Sequence, residues 1–237
     1  MNKILSRRRV VISLGGSLVV PNSGIDTQFL SEFDKFIREK LAEDPNFQFF
    51  IIVGGGATAR HYRDAGRDVV GHELPLDDLD WLGVHATRLN GHLIRTIFKD
   101  IAHPVMLNEY DVIRKAEESV VVGAGWKPGW STDYCAVLTC ENYQVETMVN
   151  LSNVAQVYSK DPKENSDAEP IEKMKWHELQ ELVGEEWSPG LHAPFDPIAS
   201  KRAAEIGLRV LIIKGGDFPN LDKAISGKEF FGTVIEG

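Results

Sequence analysis

Two apolar runs, Val10–Leu14 and Phe49–Val53, show almost no polar alternation, and each stops at glycine. Such runs predict strands of a parallel sheet covered on both faces, where neither side needs polar residues. Further strands are expected at 104–107, 119–123, 145–151, 208–213 and 232–235. Between them the apolar spacing turns helical. After the loop Pro21–Gly24, Asp26 is expected to cap a helix whose inner face carries Phe29, Leu30, Phe33, Ile37 and Leu41. A short helix is expected over 57–65 and a longer one over 79–98, with Leu79, Leu82, Ala86, Leu89, Leu93 and Ile97 inward. Three more are expected at 132–143, 175–183 and 196–206. This alternation predicts a three-layer αβα sandwich around a mainly parallel sheet. No internal repeat or low-complexity linker divides the chain, so one domain is expected, with a functional division near residue 120.

The glycine exits carry candidate chemistry. Gly15-Gly16 and Gly54-Gly55-Gly56 let backbone N–H groups approach a ligand closely, and a following helix N-terminus favours phosphate. Two such exits predict two phosphate-bearing ligands or one long one. The Walker pattern G-x-x-x-x-G-K-[ST] is absent. Gly54–Ala59 fits the dinucleotide pattern G-x-G-x-x-A, but that fingerprint wants an acidic residue ending the next strand. Here 72–80 is polar, contains Pro75 and leads into a helix, which argues against a dinucleotide site.

A formal net charge of −9 excludes a general nucleic-acid binder, so phosphate binding must be local. Arg7-Arg8-Arg9 reads as a solvated lead-in to the first strand. Cys135 and Cys140 lack zinc-site spacing and the histidines form no i, i+4 pair, so no protein-built metal site is expected. There is no signal-peptide pattern and no apolar run long enough to span a bilayer. A reduced, cytoplasmic protein without membrane or nucleic-acid partners is expected.

Further landmarks come in a fixed order. Ser13–Ser17 and Val53–Gly56 with Ala59-Arg60 are followed by D-x-x-G-x-x-x-T-R-x-N over 80–90. Then come Pro128–Asp133, Ser152-Asn153, Val157-Tyr158, Asp161-Pro162-Lys163, Asp196-Pro197 with Lys201, and Gly232-Thr233. Together they resemble the amino-acid-kinase superfamily over nearly the whole chain, and within it the archaeal-type uridylate (UMP) kinases.

The resemblance implies transfer of the γ-phosphoryl group of ATP, carrying Mg2+, to UMP. Residues up to about 120 would form an acceptor-binding lobe and the rest a nucleotide-binding lobe. Ser13, Leu14, Gly15, Gly16 and Ser17 would cradle ATP phosphates, with Gly56 and Arg60 beside them. Ser152, Asn153, Tyr158 and Asp161 would hold the ATP nucleoside. Gly55 would face the acceptor phosphate and Asp80 the acceptor ribose. Trp126, Lys127, Pro128, Gly129, Trp130, Ser131 and Thr132 would wrap the acceptor, Thr132 capping the next helix. Catalysis would rest on Lys201 and Arg60 with Gly15 and Gly16. A homo-oligomer, a hexamer by family analogy, is implied.

Taken without the resemblance, Asp80 serves equally as a helix cap, Asp161-Pro162 as a turn, Tyr158 as packing, and Lys201 as a solvent-facing charge. The chain also departs from the family pattern. Ser13 stands where many members carry lysine, although archaeal-type uridylate kinases share that absence. Ala155-Gln156 replaces an Asp-Gly pair, Trp126 and Trp130 crowd the acceptor loop, and Gly190–Phe195 replaces small polar residues. These departures keep two alternatives open: a kinase of the same fold with another small acceptor, and a nucleotide- or oxyanion-binding or storage protein with little catalysis.

Overall fold

A computed structural model describes residues 7–160, 164–184 and 194–237. The first strand, β1 (Arg8–Leu14), runs into the one-turn α1 (Gly16–Val19), and α2 (Thr27–Glu43) follows. Next come β2 (Phe47–Val53), α3 (Gly56–Val70), α4 (Leu76–Ile97) and β3 (Val120–Gly123). The chain continues through α5 (Thr132–Tyr143), β4 (Thr147–Ser152), β5 (Val157–Tyr158), β6 (Pro170–Ile171) and β7 (Lys173–Lys175). It ends with α6 (Trp176–Val183), α7 (Pro197–Glu205), β8 (Arg209–Lys214), α8 (Phe218–Ile225) and β9 (Thr233–Glu236).

Seven strands form one sheet in the order β3-β2-β1-β4-β8-β9-β7, parallel except where β9 meets β8. The fully buried β2 has no polar face because helices cover both sides of the sheet. Val10, Ile12 and Leu14 pack with α2, α4 and α8, whereas Val11 packs with α5, α6 and α7. That is the strand's two-residue alternation feeding two cores. The three-layer αβα expectation holds. The strand order reverses beside β1, with β2 on one side and β4 on the other, and ligands of open α/β sheets gather at such a switch point.

Several local expectations change. Asp26 caps α2, accepting from Phe29 N at 2.9 Å. α3 runs well past residue 65, to Gly71 in the left-handed conformation (φ 69°). Its second half is solvent-exposed and so carries no amphipathic signal. α4 starts at Leu76 behind Pro75, its first turn carrying Asp77 and Asp78 at the positive dipole end. Asp80 therefore lies in the second turn and does not cap the helix. Leu89, expected inward, is 63% exposed, because α4 buries Asp80, Thr87 and Asn90 instead. Residues 104–107 form no strand; only the bridges Ala102–Val120 and Leu107–Gly123 occur there. α8, capped by Asp217, was not among the expected helices. Among the described residues no helix is long and apolar enough to cross a membrane.

Candidate active site

Glycine is required where β1 and β2 end side by side. Gly54 N donates to Leu14 O at 2.9 Å, and Ala57 N donates to Val20 O at 2.8 Å. A Cβ on Gly16 would fall 2.5 Å from Gly54 C, and one on Gly54 would fall 2.6 Å from Gly16 N. Gly56 also needs a positive φ of 59°. The two turns thus touch backbone to backbone and form one floor. Gly15 N is tied to Leu151 O at 2.8 Å, which anchors that floor to β4.

Above the floor lies a cavity of about 260 Å³, lined by Gly16, Gly55 and Gly56 and walled by Asp80, Trp130 and Thr132. Ser131 also lines it. The structure thus brings together seven of the expected site residues. Ser13, Leu14, Gly15, Ser17, Arg60, Ser152, Asn153, Tyr158 and Lys201 lie outside the lining. Of these, Arg60 donates to Ser17 Oγ (3.2 Å) and Asn22 Oδ1 (2.8 Å), beside the first turn. Ser152 adjoins Gly15, whose added Cβ would meet Ser152 Cα at 3.3 Å. Tyr158 sits in the small β5–β6 hairpin, and Lys201 is exposed on α7. Asp161 and 190–193 lie outside the described residues.

α4 braces both loops through one polar stripe. Asn90 Nδ2 donates to Gly54 O (2.9 Å) and Gly55 O (3.0 Å), fixing the second glycine turn. Thr87 Oγ1 accepts from Gly125 N at 2.8 Å, and Arg88 donates to Gly125 O and Trp126 O. Asp80 Oδ2 accepts from Gly129 N at 2.6 Å. The segment 125–129 is therefore held by its backbone, which leaves Trp126 and Trp130 edge to face at 4.8 Å. Lys127 Nζ sits 4.2 Å from the Trp126 ring centroid and 4.6 Å from that of Trp130, an arrangement that steadies a loop tip. The spacing 80, 83, 87, 90 is itself helical. That periodic run of polar and small residues could have revealed the brace.

Ser131, and not Thr132, caps α5, accepting from Tyr134 N at 3.1 Å. Thr132 is the first helical residue. Asp133 follows, half-buried at the cavity, its Oδ1 accepting from Ser13 Oγ (2.7 Å) and Asn150 Nδ2 (3.1 Å). Burial pushes this carboxyl above its usual range, and the Ser13 hydroxyl pulls it back. Ser13 thus spends its hydroxyl on Asp133. Asp196 caps α7 through Oδ1, which accepts from Ala199 N at 2.6 Å, while its buried Oδ2 has no hydrogen-bond partner among the described residues. Burial, with Asp133 nearby, raises Asp196 to about 7. Arg63, Asp133 and Asp196 all line the cavity, yet none was assigned a role from sequence. The last two stand in quoted motifs, but only folding shows that they meet.

Because folding raises the Asp196 pKa, it favours the protonated form, and its contribution to stability is lost as pH rises from about 4 to about 7. Asp196→Asn retains the cap and removes the charge. In metal- and nucleotide-free buffer the variant should match wild type near pH 4. By pH 8 it should be the more stable, by at most about 4 kcal/mol, in denaturant titrations. A stability difference independent of pH would contradict this.

The substitution of Ala155-Gln156 has a structural account. Gln156 is buried and donates to Gly232 O at 3.1 Å, while Val157 N donates to the Thr233 hydroxyl at 2.9 Å. These bonds tie the start of β5 to the start of β9.

Residues 8–214 match the amino acid kinase family. A uridylate kinase from Methanocaldococcus jannaschii is 32% identical over 235 residues, covering 97% of this chain and all of the relative. One from Methanocorpusculum labreanum is 31% identical over 230 residues, covering 96% and 95%. The crystal structure of uridylate kinase from Archaeoglobus fulgidus superposes with a TM-score of 0.77 at 32% identity, over 95% of this chain and 99% of that one. With the family match spanning most of the sequence and the glycine turns where that fold needs them, the chain belongs to the amino acid kinase family.

Proposed function

We propose that this chain is a UMP kinase, moving the γ-phosphoryl group of ATP to UMP to give UDP. The observation that carries this reading is the backbone contact between the two glycine turns, which form one floor to one cavity, as a transfer between two phosphate-bearing ligands requires. Relatives that match nearly the full chain and bear the name uridylate kinase support it. Phosphoryl transfer asks a protein chiefly for positioning and charge neutralisation. The first turn, Ser13–Ser17 with Gly56 and Arg60, holds the ATP phosphates. Ser152 and Asn153, where β4 ends, hold its nucleoside together with Tyr158 and Asp161. Gly55 faces the acceptor phosphate, Asp80 the ribose, and 126–132 the base. By this division, residues to about 120 bind mainly the acceptor and the remainder mainly ATP.

A magnesium ion carried with ATP supplies further charge neutralisation on the phosphates. The unpartnered Asp196 Oδ2 and the neighbouring Asp133 suit it: two carboxylates at the cavity can hold its water shell. Lys201, one turn into α7, reaches toward the transferring group as charge develops. Lys201→Ala should therefore lower kcat about 100-fold while leaving ATP binding within about threefold. Equal losses in both would remove this role. The activity itself is tested by ADP release with UMP, CMP, AMP and GMP. Stimulation by UMP well above the ATP-only background is expected, and none would sink the proposal.

We also infer that the chain assembles with copies of itself, as a hexamer, and works in the cytoplasm. Leu89 (63% exposed) and Trp81 (40%) give α4 an apolar outer row that a second copy would cover.

A further inference from the structure

The cavity has an unusual charge balance for a phosphate site. Among the described residues its lining carries three carboxylates, Asp80, Asp133 and Asp196, and one cationic side chain, Arg63. A phosphate ester approaching those carboxylates is repelled unless a cation meets it. Arg60 lies outside the lining, bonded to Ser17 and Asn22 on the side given to the ATP phosphates. Arg88 is spent on the carbonyls of Gly125 and Trp126.

Arg63 differs from both. It lies two turns into α3, and its side chain leans back toward the helix start, as helical side chains do. Nε donates to Ala59 O at 3.2 Å, which fixes the direction of the guanidinium. Among the described residues, neither Nη makes a hydrogen bond. The half-buried group, which lines the cavity, therefore keeps both Nη groups, with four N–H donors, unspent beside the glycine turn that opens α3. Burial pulls this guanidinium below its usual range; Asp80 and Asp64 offset that, and Arg60 and Arg67 add to it. A desolvated cation with free donors is costly alone and well suited to a bidentate anion.

We propose that Arg63 binds the phosphate group of the acceptor, clamping it against the Gly54–Gly56 turn. This rests on the UMP kinase reading and deepens it. Arg63 becomes the residue that distinguishes a phosphorylated acceptor from its nucleoside, while Asp80 holds the sugar of either.

The test uses the full chain with Arg63→Met and Arg63→Lys. Binding of UMP and of uridine is measured by calorimetry, and KM for UMP and for ATP by steady-state assay. Losing a charge-assisted pair should weaken UMP about 10- to 100-fold in Arg63→Met. Uridine affinity and the KM for ATP should stay within about threefold, and Arg63→Lys should recover part of the loss. Unchanged UMP binding in Arg63→Met overturns the proposal. So does equal weakening of UMP and uridine, which would mean that Arg63 only steadies Asp80. Arg63→Lys keeps the question open to measurement if the Met variant fails to fold: a fully unchanged UMP-to-uridine affinity ratio in it overturns the bidentate clamp. Wild type that binds uridine and UMP equally overturns Arg63's role alone, whereas wild type that binds neither overturns the kinase reading as well.

Discussion

Gly16→Ala is expected to abolish phosphoryl transfer, lowering kcat/KM for both nucleotides by at least about 100-fold, and to destabilise the chain by about 3 kcal/mol or more. The added methyl would land 2.5 Å from Gly54 C and closer still to Gly56 N. Both are backbone atoms of the neighbouring turn, so no side chain can rotate away. Overpacking a well-fitted core costs typically about 1–3 kcal/mol, and here relief requires moving a strand end. Separating the turns would also pull apart Gly54 N and Leu14 O, the hydrogen bond that joins them. Gly71→Ala is the matched control. Gly71 has φ 69° with nothing within 4 Å of its added Cβ, and it lies at the far end of α3. It should cost about 1 kcal/mol and leave turnover unchanged. Thermal melts and initial rates on both variants check this, and an active, stable Gly16→Ala would contradict the shared floor.

Asp80→Ala should raise the KM for the acceptor about 100-fold while leaving that for ATP within about threefold. Asp80 does two jobs. Its Oδ2 accepts from Gly129 N at 2.6 Å, which holds the 125–129 loop over the cavity, and the same carboxylate faces the acceptor. Removing it releases the Gly129 N–H, which water can meet because Gly129 is exposed, and frees the tryptophan-bearing wall. Burial raises the Asp80 carboxyl, and the Gly129 N–H and Arg63 pull it back while Asp77 opposes them. Asp80→Asn keeps an oxygen for Gly129 N and should fall between wild type and alanine. The pattern differs from that of Arg63: Asp80→Ala weakens uridine and UMP alike. Steady-state kinetics with each nucleotide varied separately would show it, and an unchanged acceptor KM would refute the assignment.

The sheet was legible because β1 and β2 carry their burial in composition: an apolar run ending in glycine has few other uses in a protein of this size. Helices α2 and α5 were also within reach, α2 through its Asp26 cap and α5 with its cap one residue earlier than expected, at Ser131 rather than Thr132. α4 was misread on its inner face because tertiary contact overrides hydrophobic periodicity there. The helix buries Thr87 and Asn90 to bond loop backbones and leaves Leu89 outside. The second half of α3, mostly exposed, gave little signal, and the residues around 104 read as a strand although they pair only through isolated bridges. Within the site, the glycines announced themselves through spacing, and Asp80 through the family resemblance. Arg63, Asp133 and Asp196 did not, because what marks them is shared burial from three separate segments. The absent lysine at position 13 also becomes intelligible. Ser13 hydrogen-bonds Asp133, so the position still serves that carboxylate, without adding a charge.

The central claim is that both glycine turns serve one transfer, with ATP on one and UMP on the other. Incubating the protein with γ-labelled ATP, Mg2+ and UMP, then separating the nucleotides, tests it most directly. The label should appear in UDP, in a one-to-one ratio with the ADP released. Label found only in inorganic phosphate, or ATP retained without any labelled UDP, would contradict it.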